Sequence, residues 1–115
     1  MCHVLIIEDE PLVAMEIEDI LMRNGATSVE IVDTEQAAVA AATSHRPQVI
    51  TSDVKLFEGT GPAAVKEIQN RFGPVPVIFI TGSPGECKPC NPPGSIVTKP
   101  FSRRTVADAF HTARG

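Results

Sequence analysis

The segment HVLIIEDEP, residues 3–11, decides the fold class of the chain. Its first five residues form a short, largely aliphatic run, which is typical of a strand buried on both faces of a parallel sheet. Pro11 suits the first turn of a helix, because the N–H that proline lacks would have no intrahelical partner there. An inward helical face follows at Val13, Ile17, Ile20 and Leu21, and Gly25 ends the helix. The segment therefore predicts a strand, an acidic loop and a helix.

The same alternation of strand and helix continues along the chain. Further strands are predicted at residues 28–32, 48–53, 75–81 and 95–98. Further helices are predicted at about 34–45, where Asp33 and Gln36 resemble a capping box, from Pro62 and from about Ser102. The inward stripes of the last two are Ala64, Val65, Ile68 and Phe72, and Val106, Ala109, Phe110 and Ala113. Five strands alternating with helices predict an α/β fold, a doubly wound parallel sheet covered on both faces.

The composition narrows the possible classes of function. The chain has 115 residues, enough for one domain with a substantial core. A net charge of −4 and the absence of Trp and Tyr argue against binding to nucleic acid. No apolar run is long enough to cross a membrane, and the first ten residues lack a secretory signal. Three cysteines, an odd number, favour a reducing cytoplasm over a disulfide framework.

The segment GSPGECKPCNPPG, residues 82–94, interrupts the alternation where a fourth helix is expected. It contains four prolines and three glycines, which disfavour a regular helix. We therefore expect the fourth helix, between the fourth and fifth strands, to be short or irregular.

The same segment carries a Cys-x-x-Cys pair, Cys87 and Cys90, with the spacing of half a zinc site or of a redox pair. A structural zinc needs four ligands, and the remaining candidates are Cys2, His3, His45 and His111. All four are expected on the far side of the sheet from this segment. The redox motif normally opens a helix, which the neighbouring prolines disfavour. A loop with two incidental cysteines is the favoured interpretation, and a metal or redox site is the alternative.

Chemically useful side chains stand at the ends of four predicted strands. Glu8 and Asp9 end the first strand, Asp53 the third, Thr81 the fourth and Lys99 the fifth. We expect them on one rim, because ligands of open parallel sheets bind outside the carboxyl ends of the strands. Clustered carboxylates repel one another unless a hard cation such as Mg²⁺ joins them. A carboxylate beside Mg²⁺ can act as a nucleophile and form an aspartyl phosphate, with the hydroxyl and the ammonium contacting the phosphoryl oxygens.

Each of these residues also has a simpler interpretation when it is taken alone. The acidic run at residues 8–10 could supply negative charge to a helix N-terminus, and Asp53 could begin an Asx-turn. Thr81 and Lys99 alone carry no functional signal. Their joint occurrence, at the ends of different strands, favours a functional site.

Four segments of the chain resemble the receiver domain of two-component response regulators. They are LIIEDEP (5–11), ITSDVKL (50–56), VIFITG (77–82) and TKPF (98–101), and the resemblance covers essentially the full length. The resemblance implies a flavodoxin-like strand order of 2-1-3-4-5. It also implies that Asp53 is the phosphoacceptor and a metal ligand, that Asp9 binds Mg²⁺ directly, and that Glu8 holds metal-bound water.

The resemblance assigns further roles around the same rim. It implies that the backbone carbonyl of Lys55 completes the protein ligands of Mg²⁺. Thr81 and Lys99 are expected to contact the phosphoryl group. The Lys99–Pro100 peptide bond is expected to be cis, which is physically reasonable in a tight functional turn.

Two positions of the proposed switch region depart from the common receiver pattern. Gly82 stands where Ala or Ser usually follows the switch threonine, and Ile96 stands where Tyr or Phe usually precedes the lysine. The chain therefore lacks the aromatic ring whose rotation accompanies the common switch. PVIFITGS, residues 76–83, resembles the bacterial subgroup called FAT GUY regulators. The acidic and lysine segments also resemble the receiver half of PhyR-type general-stress regulators.

These observations predict one receiver domain over residues 1–115, without an output domain. We expect a single-domain response regulator that accepts a phosphoryl group from a sensor histidine kinase in a Mg²⁺-dependent reaction. It would catalyse its own phosphorylation and dephosphorylation rather than turn over a substrate. Signalling would proceed through a downstream protein of a stress or sigma-factor pathway, without nucleic acid or membrane. The alternative is a docking-only module of receiver fold that is not phosphorylated.

Overall fold

The computed structural model describes residues 1–86 and 94–115. The strands are β1 (His3–Ile7), β2 (Ser28–Val32), β3 (Val49–Ser52), β4 (Val77–Thr81) and β5 (Gly94–Thr98). The α-helices are α1 (Pro11–Arg23), α2 (Glu35–Ser44), α3 (Gly61–Phe72) and α4 (Arg103–Arg114), and a single 3-10 turn spans Pro84–Glu86. None of the described helices is long and apolar enough to cross a membrane.

The five strands form one parallel sheet in the order β2-β1-β3-β4-β5, which confirms the predicted architecture. The chain builds outward from β1 to β2 and then returns to place β3 on the other side of β1. Crevices for ligands form where the strand order reverses in this way, at the carboxyl ends of the strands. The switch point here lies between the ends of β1 and β3.

Side chains of each central strand point alternately into two hydrophobic layers. Leu5 and Ile7 pack with α2 and α3, whereas Val4 and Ile6 pack with α1 and α4. Phe79 is the largest fully buried side chain of the first layer, and Phe110 is the largest fully buried side chain of the second. Full burial of one such side chain contributes about 1.5–3 kcal/mol, so the two layers fix the sheet as a rigid base for the residues at its edges.

The predicted helical faces are confirmed, with small differences in degree of burial. Ile17, Ile20 and Leu21 of α1 are buried, and Val13 is partly buried beside them. The same holds for Ala64, Val65 and Ile68 of α3 with partly buried Phe72, and for Val106 and Phe110 of α4 with partly buried Ala109 and Ala113. Gly25 has φ +113°, as expected of the residue that follows a helix end.

The prediction of a capping box at Asp33 and Gln36 is wrong. Thr34 is the N-cap of α2, and its hydroxyl accepts the Ala37 N–H at 3.0 Å. A long-range contact explains the choice, because Thr34 forms a parallel bridge with Glu58 and so takes the extended conformation that a cap requires.

Several element boundaries also differ from the prediction. β4 begins at Val77 rather than at residue 75, because Pro76 has no N–H to donate and only its carbonyl joins the ladder, accepting from Ile50 at 3.0 Å. β3 ends at Ser52, so Asp53 follows the strand directly. α3 begins one residue before Pro62, capped by the hydroxyl of Thr60.

The segment between β4 and β5 is described only in part. Its described portion contains the 3-10 turn Pro84–Glu86 and no α-helix. The remainder of the predicted irregular fourth helix, together with Cys87 and Cys90 and the metal or redox site weighed for them, lies outside the described residues.

Candidate functional site

The polar residues predicted at the strand ends do meet at one edge of the sheet. We call this set the carboxyl edge: Glu8, Asp9 and Glu10 after β1, Asp53 after β3, Thr81 at the end of β4 and Lys99 after β5. Glu8, Asp53 and Thr81 are buried, at 2%, 9% and 1% exposure. Buried carboxylates are costly unless a cation or a proton compensates them, so this edge requires an electrostatic explanation.

Lys99 is the cation that compensates these carboxylates. Its Nζ lies 2.9 Å from Glu8 Oε1, 3.1 Å from Asp53 Oδ2 and 3.6 Å from Glu10 Oε1. Burial acts to lower the pKa of Lys99, but hydrogen bonds and charges from Glu8 and Asp53 outweigh it and raise the pKa. The lysine is therefore held in its charged form among three carboxylates.

Glu8 shows that one lysine does not fully compensate the edge. Burial raises the pKa of Glu8 from 4.5 to about 7, against the lowering effect of Lys99, and the charge of Asp53 adds to the rise. The Glu8 carboxylate also accepts the Glu10 N–H at 3.2 Å. The geometry at Lys99 is that of an ion pair, and the raised pKa shows that ionising Glu8 here remains costly.

The carboxylates are close enough together to share a cation. One oxygen from each of Glu8, Asp9, Glu10 and Asp53 lies within 4.8 Å of the others. Oxygen ligands of this kind suit a hard divalent ion such as Mg²⁺, which binds through a few carboxylates and keeps several waters. The donor set therefore fits the predicted metal. Lys55 lies in the loop after Asp53, where it forms an antiparallel bridge with Thr60.

Backbone and hydroxyl contacts fix the orientation of Asp53. The Asp53 N–H donates to the carbonyl of Ile7 at 2.8 Å, and Asp53 Oδ1 accepts the Val54 N–H at 2.7 Å. Ser52 Oγ donates to the Asp53 carbonyl at 2.7 Å. One carboxylate oxygen thus faces a backbone N–H and the other faces Lys99, so the side chain is held in one orientation.

Gly61 allows α3 to begin directly against Asp53. A Cβ added at residue 61 would lie 1.8 Å from the Asp53 carbonyl oxygen and 2.2 Å from Ser52 Oγ. Sequence reasoning missed the roles of both Gly61 and Ser52. The one available signal was a glycine immediately before the proline of the predicted helix.

The predicted switch residues lie on β5 or in the segments that follow β4 and β5. Thr81 Oγ1 accepts the Ser83 N–H at 2.9 Å, and the Thr81 carbonyl accepts the Lys99 N–H at 2.8 Å. A Cβ added at Gly82 would have no described atom within 4 Å, and Ile96 on the edge strand β5 is 40% exposed. The Lys99–Pro100 peptide bond is cis, as predicted.

The other residues weighed as zinc ligands lie at the opposite edge of the sheet or away from the carboxyl edge. His3 begins β1, and its ring stacks on that of His45 with centroids 3.6 Å apart. Cys2 is buried in the layer beneath α1 and α4, and His111 Nε2 contacts Asn24 Oδ1 at 3.1 Å. The placement on the far side is therefore confirmed for these described residues.

Comparisons with known proteins identify the family to which this fold belongs. The family model described as the response regulator receiver domain matches residues 4–92 of the chain. The phyllosphere-induced regulator PhyR of Methylorubrum extorquens is 39% identical over 118 aligned residues, which cover 96% of this chain and 43% of that protein.

Solved structures extend the similarity to three dimensions. The NMR structure of the PhyR response regulator REC domain from Erythrobacter litoralis has a TM-score of 0.85 and 35% identity, covering 97% of this chain and 88% of that one. The crystal structure of the anti-anti-sigma factor PhyR from Bartonella quintana has a TM-score of 0.81 and 36% identity, covering 97% and 46% respectively. The chain thus spans less than half the length of the PhyR proteins from Methylorubrum and Bartonella. With its family model, its relatives and its sheet order in agreement, the chain belongs to the response regulator receiver domain family and is similar to the receiver of PhyR-type regulators.

Proposed function

We propose that Asp53 accepts a phosphoryl group from a sensor histidine kinase and that this modification is the signal the domain transmits. The observation that carries the proposal is the environment of Asp53: its carboxylate lies 3.1 Å from the Lys99 ammonium, and one oxygen of it lies within 4.8 Å of an oxygen from each of three further carboxylates. Within residues 1–86 and 94–115, so much negative charge facing one cation is costly as a structural device, and it suits a site that binds a metal and a phosphoryl group.

The transfer balances without any further reactant. One oxygen of Asp53 attacks phosphorus while the bond from phosphorus to the kinase histidine nitrogen breaks, and the electron pair remains on the imidazole. The product is an aspartyl phosphate. Burial of Asp53, at 9% exposure, limits the access of water to the new acyl phosphate bond.

Asp9 and Asp53, with Glu8 through water and the Lys55 backbone carbonyl, would hold the Mg²⁺. When bound, the ion supplies positive charge that offsets the charge of the phosphoryl oxygens. Glu8 then becomes easier to ionise, because a nearby cation favours the carboxylate form. Glu10 lies in the same group of oxygens and is the only one of its four carboxylates to which the sequence interpretation assigned no role.

Lys99 and Thr81 would recognise the transferred group. Lys99 already contacts Asp53, so its ammonium needs only to exchange a carboxylate oxygen for a phosphoryl oxygen. Thr81 ends the strand next to β3, and its hydroxyl would donate to a second phosphoryl oxygen. These two contacts would couple the modification of Asp53 to the conformation of the segments that follow β4 and β5.

The output of the domain is proposed to be a protein interaction. The Bartonella relative is described as an anti-anti-sigma factor. We accordingly propose a downstream protein of a stress or sigma-factor pathway, a single receiver domain as the signalling unit, and action in the cytoplasm, where the catalytic part of a sensor kinase is found.

Replacement of Asp53 by Asn tests the assignment. Incubation with acetyl phosphate and Mg²⁺ should give the wild-type chain a hydroxylamine-sensitive phosphoryl group that intact mass spectrometry detects. Asp53→Asn should show none, because the amide cannot form the acyl phosphate. Asp108→Asn, a change at an exposed carboxylate of α4, should be labelled as the wild type is. Undiminished labelling of Asp53→Asn would contradict the proposal, and no labelling of any variant would favour the docking-only alternative.

A further inference from the structure

A surface ion pair joins the two loops that follow the phosphoacceptor and the switch threonine. Lys55 Nζ lies 2.9 Å from Glu86 Oε2. Lys55 comes two residues after Asp53, and Glu86 lies in the 3-10 turn that follows Thr81. Because β3 and β4 are neighbours in the sheet, the ion pair closes a ring from Asp53 through Lys55 and Glu86 back to Thr81.

Hydrogen bonds connect Glu86 to the hydroxyl of Thr81. The Glu86 N–H donates to the Ser83 carbonyl at 3.0 Å, and the Ser83 N–H donates to Thr81 Oγ1 at 2.9 Å. The hydrogen bond from Lys55 is the main cause that lowers the pKa of the Glu86 carboxyl, with a smaller contribution from Ser83. The carboxylate that contacts Lys55 therefore belongs to the same turn whose Ser83 N–H donates to the Thr81 hydroxyl.

The other end of the ion pair is equally tied to the site. Lys55 forms an antiparallel bridge with Thr60, and the Gly61 N–H donates to the Val54 carbonyl at 2.9 Å. The loop after Asp53 is thus fixed against the start of α3. A shift of segment 82–86 relative to this loop must stretch or break the contact between Lys55 and Glu86.

The hydrogen bond of Thr81 matches an unphosphorylated state. Thr81 Oγ1 is engaged by Ser83 and makes no hydrogen bond to Asp53, and all three residues lie in the described part of the chain. If Thr81 turns its hydroxyl toward a phosphoryl group on Asp53, Oγ1 moves away from the Ser83 N–H. The segment that Glu86 anchors then loses its hydrogen bond to Thr81 and keeps the ion pair with Lys55.

We propose that the ion pair between Lys55 and Glu86 is a latch that holds segment 82–86 in its unphosphorylated position and opens when Asp53 is phosphorylated. The inference rests on the proposed function of Asp53. Phosphorylation replaces the single negative charge of the Asp53 carboxylate with the roughly two charges of an acyl phosphate, and the added charge, two residues from Lys55 along the chain, competes with Glu86 for the ammonium. The side chains of the pair are 67% and 54% exposed, so the latch biases the two states only modestly and can be released.

The latch makes a prediction that simple electrostatics does not. Removing either partner frees segment 82–86, so more molecules adopt the conformation that accepts phosphate. Glu86→Gln and Lys55→Gln should each accelerate labelling by acetyl phosphate about two- to fivefold, the range expected for loss of an exposed ion pair. If the variants acted only by changing the net charge that the anionic acetyl phosphate meets, Glu86→Gln would accelerate labelling and Lys55→Gln would slow it.

The experiment compares five proteins under one set of conditions. They are the wild type, the two single variants, the double variant and Glu67→Gln, which breaks an exposed ion pair of α3 with Arg71 at 2.7 Å. The double variant should be no faster than the faster single variant, because one latch cannot be opened twice. Glu67→Gln should be labelled at the wild-type rate. Opposite effects of the two single variants, additive effects, or no effect of either would overturn the latch.

Amide NMR provides a second readout that does not depend on rate. In the unphosphorylated single variants, the amide signals of Ser83 should move part of the way toward their positions in phosphorylated wild type. Unmoved signals would contradict the latch even if the rates changed. Absence of labelling in the wild type would instead contradict the proposed function, so the two failures are distinguishable.

Discussion

The two edges of the sheet bury ionisable groups in opposite ways. At the carboxyl edge, three carboxylates surround one ammonium, and burial raises the pKa of Glu8 to about 7. At the opposite edge, which we call the amino edge and define by His3, Ser28, His45 and Gln48, burial lowers the pKa of His3, helped by His45 and opposed by Glu30. The carboxyl edge clusters groups of like charge, whereas burial at the amino edge favours the neutral form of the His3 ring.

The difference separates a site from a structural contact. His3 makes a local contact at one ring nitrogen, because its Nδ1 contacts Ser28 Oγ at 2.7 Å, and its ring stacks on His45 with an interplanar angle of 9°. Its Nε2 is buried without a hydrogen-bond partner among the described residues, which a neutral ring tolerates far better than a charged one. At the carboxyl edge, by contrast, Lys99 compensates the carboxylates only in part, and repulsion persists until a further cation or a proton arrives. Persistent repulsion of this kind is the physical mark of a binding site.

The largest effect is expected from closing the space beside Asp53. In Gly61→Ala the new methyl group would have to displace the Asp53 carbonyl, which accepts the Ser52 hydroxyl at 2.7 Å. We expect a loss of about 3 kcal/mol in the free energy of unfolding, measured by urea denaturation, together with loss of phosphorylation. Gly82→Ala is the matched control, since its methyl group would meet no described atom within 4 Å, and its stability should stay within about 0.5 kcal/mol of wild type. Equal stability of the two variants would contradict the packing described for Asp53.

The next effect concerns the pH dependence that Glu8 imposes. The folded chain keeps the Glu8 proton up to about pH 7, whereas the unfolded chain releases it near pH 4.5. The unfolded state therefore binds fewer protons in this window, and the contribution of Glu8 to the free energy of unfolding falls as pH rises, by at most about 3 kcal/mol in EDTA.

Glu8→Gln isolates this contribution from that of His3. The lowered pKa of His3 acts in the opposite direction, because the unfolded chain takes up a proton there first and stability is lost as pH falls. The free energy of unfolding of the wild type should therefore fall relative to that of Glu8→Gln as the pH rises from 5 to 7. Glu16→Gln, at an exposed position of α1, should parallel the wild type. Saturating Mg²⁺ should reduce the shift, and a difference that is independent of pH would contradict the buried state of Glu8.

The smallest effect is expected at the amino edge. His45→Ala removes the ring that stacks on His3 and should cost about 1 kcal/mol at pH 8, with no change in the rate of labelling by acetyl phosphate. His45→Phe keeps an aromatic ring and should recover most of the stability. If His45→Ala impaired labelling as Asp53→Asn does, the distinction between the two edges would be wrong.

Periodic features of the sequence predicted the fold well. The aliphatic run of β1 and the inward faces of α1, α3 and α4 are buried, as their repeating patterns predicted. A repeating pattern still identifies a strand or a helix when its predicted ends are wrong by a residue or two. The strand ends then placed Glu8, Asp53, Thr81 and Lys99 on one edge, because parallel strands end on the same side. Local capping was less predictable, since Asp33 and Thr34 are adjacent and both can cap a helix, and a distant contact with Glu58 decided between them.

Contacts between distant loops lay beyond the reach of sequence patterns. The ion pair of Lys55 with Glu86 and the stack of His3 on His45 join segments far apart in the chain. The type of a residue does not indicate which distant residue it will contact. The role of Gly61 likewise depends on how closely α3 approaches β3. Such features arise from the packing of complete elements, so they become visible only once the sheet is assembled.

The most direct test of the account is to locate the phosphoryl group on the chain. Wild-type protein is incubated with acetyl phosphate and Mg²⁺, reduced with borohydride to convert any aspartyl phosphate into homoserine, and analysed by peptide fragmentation. The account predicts a homoserine at position 53, formed in the presence of Mg²⁺ and absent when EDTA replaces it. A reduced residue at Asp9 or another carboxylate, or modification of Asp53 that is equal in EDTA, would contradict it.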